Sequence, residues 1–385
     1  MRVGFDLTSA GSALEEGSGG GPGYFQALIP RLRDDPRVSH LWIFVPSWYD
    51  QVDAWRSDKS TIVSCRVPKA RALRVAYEQI GLAARATRIG LDVLVSPANI
   101  RPLTYRRCNV LVLHAIQHFL LGDDIGRFRS RYLHFAVPRS LRTADLTIAV
   151  TETLKQDAVK LFSLDPDRVV PVHMGPQPWA DELIKLSSNG IAPYRLDDGN
   201  PYVLCISRLY ALKNHARLIE AYGQLCRQRE VPHRLLIVGG EGDVKQGELE
   251  EVARRAGVSD RVVFLGRVAQ SLVPPLYAGA SAIAYVSLYE TFGHPVLEAF
   301  ATERPLLTSS SGATAEVAGG AARLADPENV SDIAAGLADV LFDDPLRERL
   351  VSLGHDRVRE FSWDAHARGT VDVLERAVAA RRGRS

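Results

Sequence analysis

Arg208 and Lys213 stand five positions apart, between the apolar run Tyr202–Ile206 and a helical pattern. Two cations between a strand end and a helix N-terminus suit a diphosphate, because guanidinium and ammonium groups donate to phosphate oxygens and the helix dipole adds positive charge. Asn214 is placed to cap that helix. Further along, Glu290 and Glu298 lie eight apart in Glu290-Thr291-Phe292-Gly293-His294-Pro295-Val296-Leu297-Glu298. The first carboxylate belongs to a loop and the second to a helix whose first turn holds Pro295. Carboxylates accept paired hydrogen bonds from sugar hydroxyls, and backbone N–H groups near Gly293, His294 and Val296 would face the same crevice. Gly239, Gly240 and Gly242 follow the apolar run Arg234–Val238 and let a ligand approach the backbone closely. In the first half, His114 ends the run Leu111-Val112-Leu113.

Two other patterns are negative signals. The glycines from Gly17 through Gly21 and Gly23 open a helix at Tyr24 but do not satisfy G-x-G-x-x-G in any register. A dinucleotide fingerprint is therefore absent, which disfavours a nicotinamide oxidoreductase, and the stretch reads as a glycine loop. Asp165-Pro166-Asp167 has a spacing used to hold a metal against a diphosphate. It lies between the helical pattern Thr153–Phe162 and the strand-like Val169–Val172, at the amino ends of the strands, so it reads as a turn. No metal and no cofactor are expected.

These residues need strands to hold them. Arg2–Leu7, Leu41–Val45, Val93–Ser96, Asn109–Leu113, Leu146–Val150 and Val169–Val172 are strand-like, separated by helical patterns such as Tyr24–Arg33 and Leu73–Arg88. The alternation restarts with Tyr202–Ile206, Arg234–Val238, Arg261–Leu265, Ala282–Ser287 and Pro305–Ser309, between helices Ala216–Arg229, Glu248–Ala256 and Pro295–Thr302. Three more helical stretches are expected at the end. Strand–helix alternation predicts an α/β chain of two doubly wound, Rossmann-like parallel sheets, with ligands beyond the carboxyl ends of the strands. The expected divisions are 1–186, an interdomain linker at 187–201, 202–364, and a C-terminal helix at 365–385.

Lys and Arg number 47 against 45 Asp and Glu, for a net charge of +2. That balance excludes a nucleic-acid binder acting through bulk charge. From Ser60 to Arg142, however, 14 basic residues face 4 acids, a basic face that would attract an anionic acceptor or anionic lipid. The 4 cysteines are widely spaced without CxxC, which fits a reducing cytosol. No signal peptide is read at the N-terminus. The uncharged run Val268–Tyr289 is interrupted by prolines, glycine and serines and reads as a helix followed by a strand.

The set Ser207-Arg208-Leu209…Lys213-Asn214, Val238-Gly239-Gly240-Glu241-Gly242, Val263-Phe264-Leu265-Gly266, Glu290-Thr291-Phe292-Gly293…Glu298-Ala299 and Phe361-Ser362-Trp363 resembles the family 4 retaining glycosyltransferases of GT-B fold. The resemblance implies a metal-independent enzyme with two Rossmann-like domains facing across a cleft, an N-terminal one for the acceptor and a C-terminal one for a nucleotide-sugar donor. Arg208 and Lys213 would hold the donor diphosphate, Glu298 the ribose, and Glu290 the sugar hydroxyls. Backbone around Gly293 and His294 would line the sugar pocket, and Pro295, Val296, Gly240, Gly242 and Arg267 would belong to the donor-binding site. Val263–Arg267 would lie by the base, Gly21–Gly23 would close over the phosphates, and His114 would reach the transferred sugar. The final helix would cross back to the first domain.

Ser287–Glu298 looks like that segment of bacterial mannosyltransferases of surface-polysaccharide assembly, which implies GDP-mannose. UDP-glucose or UDP-N-acetylglucosamine stands behind it. The implied acceptor is a glycan or lipid-linked glycan, in the cytoplasm or at the inner face of the membrane. A non-catalytic GT-B scaffold and a nucleotide-sugar epimerase are the rivals. Departures from the pattern are Ala115 after the histidine, His294 where an aliphatic residue is common, and Thr302-Glu303-Arg304 where a small Cys-Gly-type turn is usual.

Overall fold

A computed structural model describes residues 1–8, 20–68, 71–120, 127–186 and 191–383. Two units divide the chain: Met1–Gly175 with Ser362–Ser385, and Pro176–Phe361.

The first unit is built on a parallel seven-stranded sheet in the order β3-β2-β1-β4-β5-β6-β7. Its strands are β1 (Arg2–Asp6), β2 (His40–Pro46), β3 (Ser60–Cys65), β4 (Val93–Ser96), β5 (Asn109–Leu113), β6 (Leu146–Ala149) and β7 (Val169–Pro171). β4, β5 and β6 are buried at every position, which is why the sequence shows them as unbroken apolar runs rather than alternation. β3 is an edge strand with alternating burial and several polar residues. Its apolar signal is weak, and the sequence reading missed it.

The second unit repeats the plan with a parallel six-stranded sheet, β10-β9-β8-β11-β12-β13. Here β8 is Tyr202–Ile206, β9 Arg234–Val238, β10 Val262–Gly266, β11 Ala282–Tyr285, β12 Leu306–Ser309 and β13 Arg323–Ala325. Inward residues of these strands, among them Val203, Ile237 and Ala284, pack with Leu218, Tyr222 and Leu337 of the flanking helices into one core. In both sheets the strand order reverses beside the first strand, between β1 and β4 and between β8 and β11. Such reversal points open a crevice at the carboxyl ends of the strands, because the crossover helices leave on opposite faces.

Several boundaries differ from the sequence reading. The first division falls after Gly175, not at 186, because the helix Pro178–Leu186 packs on the helix His294–Ala301 of the second unit. Residues 187–190 of the expected linker lie outside the described residues. The return falls at Ser362, two residues before the expected end of the C-terminal domain. Beyond β12 there are four helices, not three: Ala313–Ala318, Val330–Phe342, Asp344–Val358 and Trp363–Arg382. The expected helix Leu73–Arg88 is three pieces, with a π-helical turn at Tyr77–Gly81. A further helix, Arg127–Thr143, was missed; it carries Pro138 inside, and proline argues against a helix interior.

The last helix, Trp363–Arg382, begins with Ser362 accepting from the Ala365 N–H at 3.1 Å. It buries Trp363, His366, Val371 and Leu374 against the first unit. Its outer side pairs Asp364 with Arg31 at 2.7 Å and Arg381 with Asp145 at 3.1 Å. Exposed pairs of this kind contribute about 0–1 kcal/mol each, so burial of the apolar face does most of the holding. Among the basic residues of 60–142, Arg101 is buried, with its guanidinium donating to the carbonyls of Thr143 and Tyr105, so it is not part of any surface face.

Candidate active site

The carboxyl ends of β8 and β11 flank the reversal point of the second sheet and deliver the two central residues. Lys213 closes the 3-10 turn Ala211–Lys213 after β8, and Glu290 lies in the loop after β11. The Lys213 Nζ donates to Glu290 Oε1 at 2.5 Å and to the Tyr285 hydroxyl at 3.2 Å. The Tyr285 hydroxyl in turn donates to the same Glu290 oxygen at 2.6 Å. The lysine and glutamate side chains are 19% and 12% exposed, so water screens the pair little. Burial opposes the charge on Lys213, but the Glu290 carboxylate and the Tyr285 hydroxyl outweigh it and raise its pKa. Burial and the Glu290 carboxylate likewise raise the Tyr285 pKa, so its hydroxyl remains a donor.

Asn214 holds these loops together by a different bond from the one expected. It is left-handed at φ 62° and its side chain caps nothing. Its Nδ2 instead donates to Val286 O at 3.0 Å and Pro327 O at 2.7 Å, tying the loop after β8 to the end of β11. Beneath it, His215 Nε2 meets Ser207 Oγ at 3.0 Å, and burial pulls that imidazole down to about 4.

Arg208 is exposed beside the glycine turn. Its guanidinium lies 5.1 Å from the Tyr210 ring centroid and reaches Glu241 O at 3.5 Å. The turn is pinned by Leu209 N–H to Gly240 O at 3.0 Å and by Ala211 N–H to Asp243 Oδ1 at 2.9 Å. Gly239 adopts φ 155°, and a Cβ there would sit 1.9 Å from Ser207 O. Gly239→Ala should therefore push the turn off Ser207 and Arg208, with a drop in melting temperature and loss of nucleotide binding by calorimetry; wild-type values for both would show that the turn can move. Arg267 is exposed beside Gly240, where a Cβ would meet its own Cβ at 3.7 Å.

The second glutamate is buried. Gly293 at φ 94° starts the helix His294–Ala301, whose first turn holds Pro295. Glu298 is 8% exposed and accepts from the Tyr277 hydroxyl at 2.6 Å. Burial raises its carboxyl to about 7, against the Tyr277 hydrogen bond. Val296 does not present its N–H as expected: that group donates to Gly293 O at 3.0 Å, and its side chain is fully buried. His294 packs on Phe292 with ring centroids 5.0 Å apart. Burial lowers its imidazole to about 4, against the Glu290 carboxylate, and its buried Nδ1 has no partner among the described residues.

In the first unit, His114 follows β5. Its N–H donates to Asn99 Oδ1 at 2.7 Å, and its ring meets Tyr24 edge to face at 4.7 Å. The Tyr24 hydroxyl lies 3.2 Å from His366 Nε2, while His366 Nδ1 faces His173 O at 2.9 Å. A carbonyl only accepts, so Nδ1 carries the proton and Nε2 accepts from Tyr24. Gly21 and Gly23 are not in a loop: the helix Gly20–Asp34 already includes both, and Gly17–Gly19 lie outside the described residues. Asp165-Pro166-Asp167 is a turn in which Asp165 Oδ1 accepts from the Asp167 N–H at 3.0 Å.

Sequence reasoning missed Tyr285 and Tyr277. Tyr285 carried a usable signal, as the polar-tipped last residue of a small apolar strand just before the Glu290 loop. Tyr277 lies in the helix Val273–Gly279 and carried none.

Comparison with known proteins defines the class. Residues 189–357 match the model of the family Glycosyl transferases group 1. This replaces the family 4 assignment drawn from the sequence. The fold is GT-B: sucrose-phosphate synthase from Thermosynechococcus elongatus superposes with TM-score 0.72 at 17% identity, over 98% of this chain and 99% of that one. Anabaena HepE, solved in complex with UDP and glucose, gives 0.67 at 19% identity over 97% and 99%. Fold and family match together make this a glycosyltransferase of GT-B fold. By sequence it is 28% identical over 270 residues to O-antigen chain mannosyltransferase B of Escherichia coli, covering 69% of this chain and 70% of that relative.

Proposed function

We propose that this chain transfers a hexose from a nucleoside-diphosphate sugar to a glycan or lipid-linked acceptor, with retention at the anomeric carbon. The observation that carries this reading is the Lys213–Glu290–Tyr285 cluster at the reversal point of the second sheet. An ammonium has three donors. Glu290 and Tyr285 take two, which leaves one for a diphosphate oxygen while Glu290 keeps acceptor capacity for a sugar hydroxyl. Arg208 would complete the diphosphate grip, and Glu298 would accept from the ribose. As the bond from the anomeric carbon to phosphate breaks, its electron pair passes to the phosphate oxygen, where Arg208 and Lys213 meet the growing charge. The acceptor oxygen bonds to the anomeric carbon, and its proton passes to the leaving phosphate. His114 would contact the transferred sugar.

A UDP-sugar is the first donor to test, supported by the likeness to HepE with its UDP and glucose. GDP-mannose remains the second reading, supported by the E. coli mannosyltransferase relative. A panel of UDP- and GDP-sugars tested for thermal stabilisation separates them, since a donor bound by the native state raises the melting temperature. No shift with any of them would sink the reading. Transfer should persist in excess EDTA, because Arg208 and Lys213 already supply the positive charge; activity lost in EDTA and restored by magnesium or manganese would reverse that.

The acceptor is proposed to approach the first unit, with anionic lipid attracted by its exposed arginines. No helix among the described residues is long and apolar enough to cross a membrane.

A further inference from the structure

The second unit holds a pocket away from the donor residues, at the amino ends of β11 and β12, with a volume of about 460 Å³. It is walled in part by Glu303 and Arg304, and by Asp344, Arg347 and Glu348 from the start of the helix Asp344–Val358. The first wall is the Thr302-Glu303-Arg304 turn, which departs from the small turn usual at this place.

That turn is an unusual construction. Glu303 is left-handed at φ 56°, a conformation that strains a residue with a side chain. Thr302 Oγ1 donates to Glu298 O at 2.8 Å, and the Arg304 N–H donates to Ala299 O at 3.0 Å, so the chain folds back on its helix and Arg304 lines the pocket. Arg304 and Arg347 both line the pocket, and each tucks one guanidinium nitrogen out of reach of solvent. The Nε atoms of Arg304 and of Arg347 are both buried without a hydrogen-bond partner among the described residues. Arg347 does spend its Nη1 on Asp344 Oδ1, at 2.8 Å. Burial pushes the Arg304 pKa down; Glu303 opposes this, and the like charge of Arg347 adds to it. The three acids are exposed, Asp344 paired with Arg347 and Glu303 lying 3.6 Å from His355. The pocket is thus lined by two guanidiniums, the Arg304 one partly buried, and by three exposed carboxylates.

Two guanidiniums of like charge lining one pocket repel each other unless an anion lies between them. Carboxylate and phosphate groups match the planar fork of a guanidinium. We propose that Arg304 and Arg347 form an anion site that binds the phosphate or carboxylate group of a small molecule, separate from the donor site. Hydroxyl or amino groups on the same molecule would meet the exposed acids.

The site is testable on the full chain by calorimetry with inorganic phosphate and, separately, with malonate. The expected result is saturable binding of at least one probe, weakened tenfold or more in Arg304→Gln and in Arg347→Gln, and unchanged in Arg208→Ala. Binding of phosphate alone assigns a phosphorylated ligand, and binding of malonate alone a carboxylate. Arg304→Gln should melt no lower than wild type in probe-free buffer, because it removes a like charge beside Arg347, and Arg347→Gln should melt close to wild type, because its pair with the exposed Asp344 contributes little. The proposal fails if neither probe saturates, if binding is equal in wild type and both glutamine variants, or if it disappears in Arg208→Ala. If one glutamine variant does not fold, the other decides.

Discussion

Lys213→Ala and Glu290→Ala should each destabilise the protein by roughly 3–5 kcal/mol, and the double variant should cost far less than their sum. Each single change strands an opposite charge that is 19% or 12% exposed. The double change removes both charges and leaves Tyr285 to be satisfied by water. Urea unfolding of the four proteins closes the cycle. Additive losses would show that the contact carries no coupling and that the two residues are placed independently. Catalysis separates from stability in Glu290→Gln, which keeps an acceptor for Lys213 and Tyr285. Weakening the contact to a sugar hydroxyl costs about 2–3 kcal/mol at the transition state, or roughly 30- to 150-fold in turnover. Nucleoside diphosphate affinity should stay near wild type in that variant, because Glu290 is assigned to the sugar. A variant that turned over normally would move the sugar site elsewhere.

Glu298→Gln should stabilise the ligand-free protein above pH 8 and leave it unchanged near pH 5. The native carboxyl is raised to about 7 from an ordinary value of 4.5. Between those values the folded protein holds a proton that the unfolded chain has released, so stability falls as pH rises. The contribution is fully present below about pH 4.5 and is lost as pH climbs through 7. The difference is on the order of 3 kcal/mol. Glutamine stays neutral, keeps an oxygen for the Tyr277 hydroxyl, and avoids that loss. Unfolding at pH 5 and pH 8 measures it, and a gap independent of pH would contradict the raised carboxyl. The same variant should bind nucleoside diphosphate about tenfold more weakly, since an amide offers one acceptor oxygen where a carboxylate offers two. Unchanged affinity would remove the ribose from Glu298. A carboxylate that destabilises the free fold is then explained by what it binds.

The order of these effects follows from what was legible in the chain itself. Buried parallel strands must be apolar on both faces, so their runs are unmistakable, and Val93–Ser96, Asn109–Leu113, Tyr202–Ile206 and Arg234–Val238 coincide with observed strands. The ligand edge of each sheet then follows, because connections between parallel strands put the functional loops at the carboxyl ends. Arg208, Lys213, Glu290 and Glu298 were singled out as candidates by that rule. The edge strands β3 and β13 and the helix Arg127–Thr143 escaped it, since β3 and β13 carry partly exposed polar residues and a proline interrupts that helix.

Contacts between residues far apart in sequence were decided by the tertiary structure alone. No spacing along the chain announces that Lys213 meets Glu290, that Tyr277 caps the Glu298 carboxylate, or that Asn214 bonds Val286 rather than its own helix. Sheet order brings β8 beside β11, and only that neighbourhood turns four separate charged residues into a paired cation and a buried acid. The raised carboxyl of Glu298 and the unpartnered Nε atoms of Arg304 and Arg347 depend on burial, which the packing of distant helices creates. The sequence by itself determined which residues stand at the ends of strands. The packed structure determined which of them share a proton, a partner or a charge, because those interactions fall off within a few ångströms and the distances exist only in the fold.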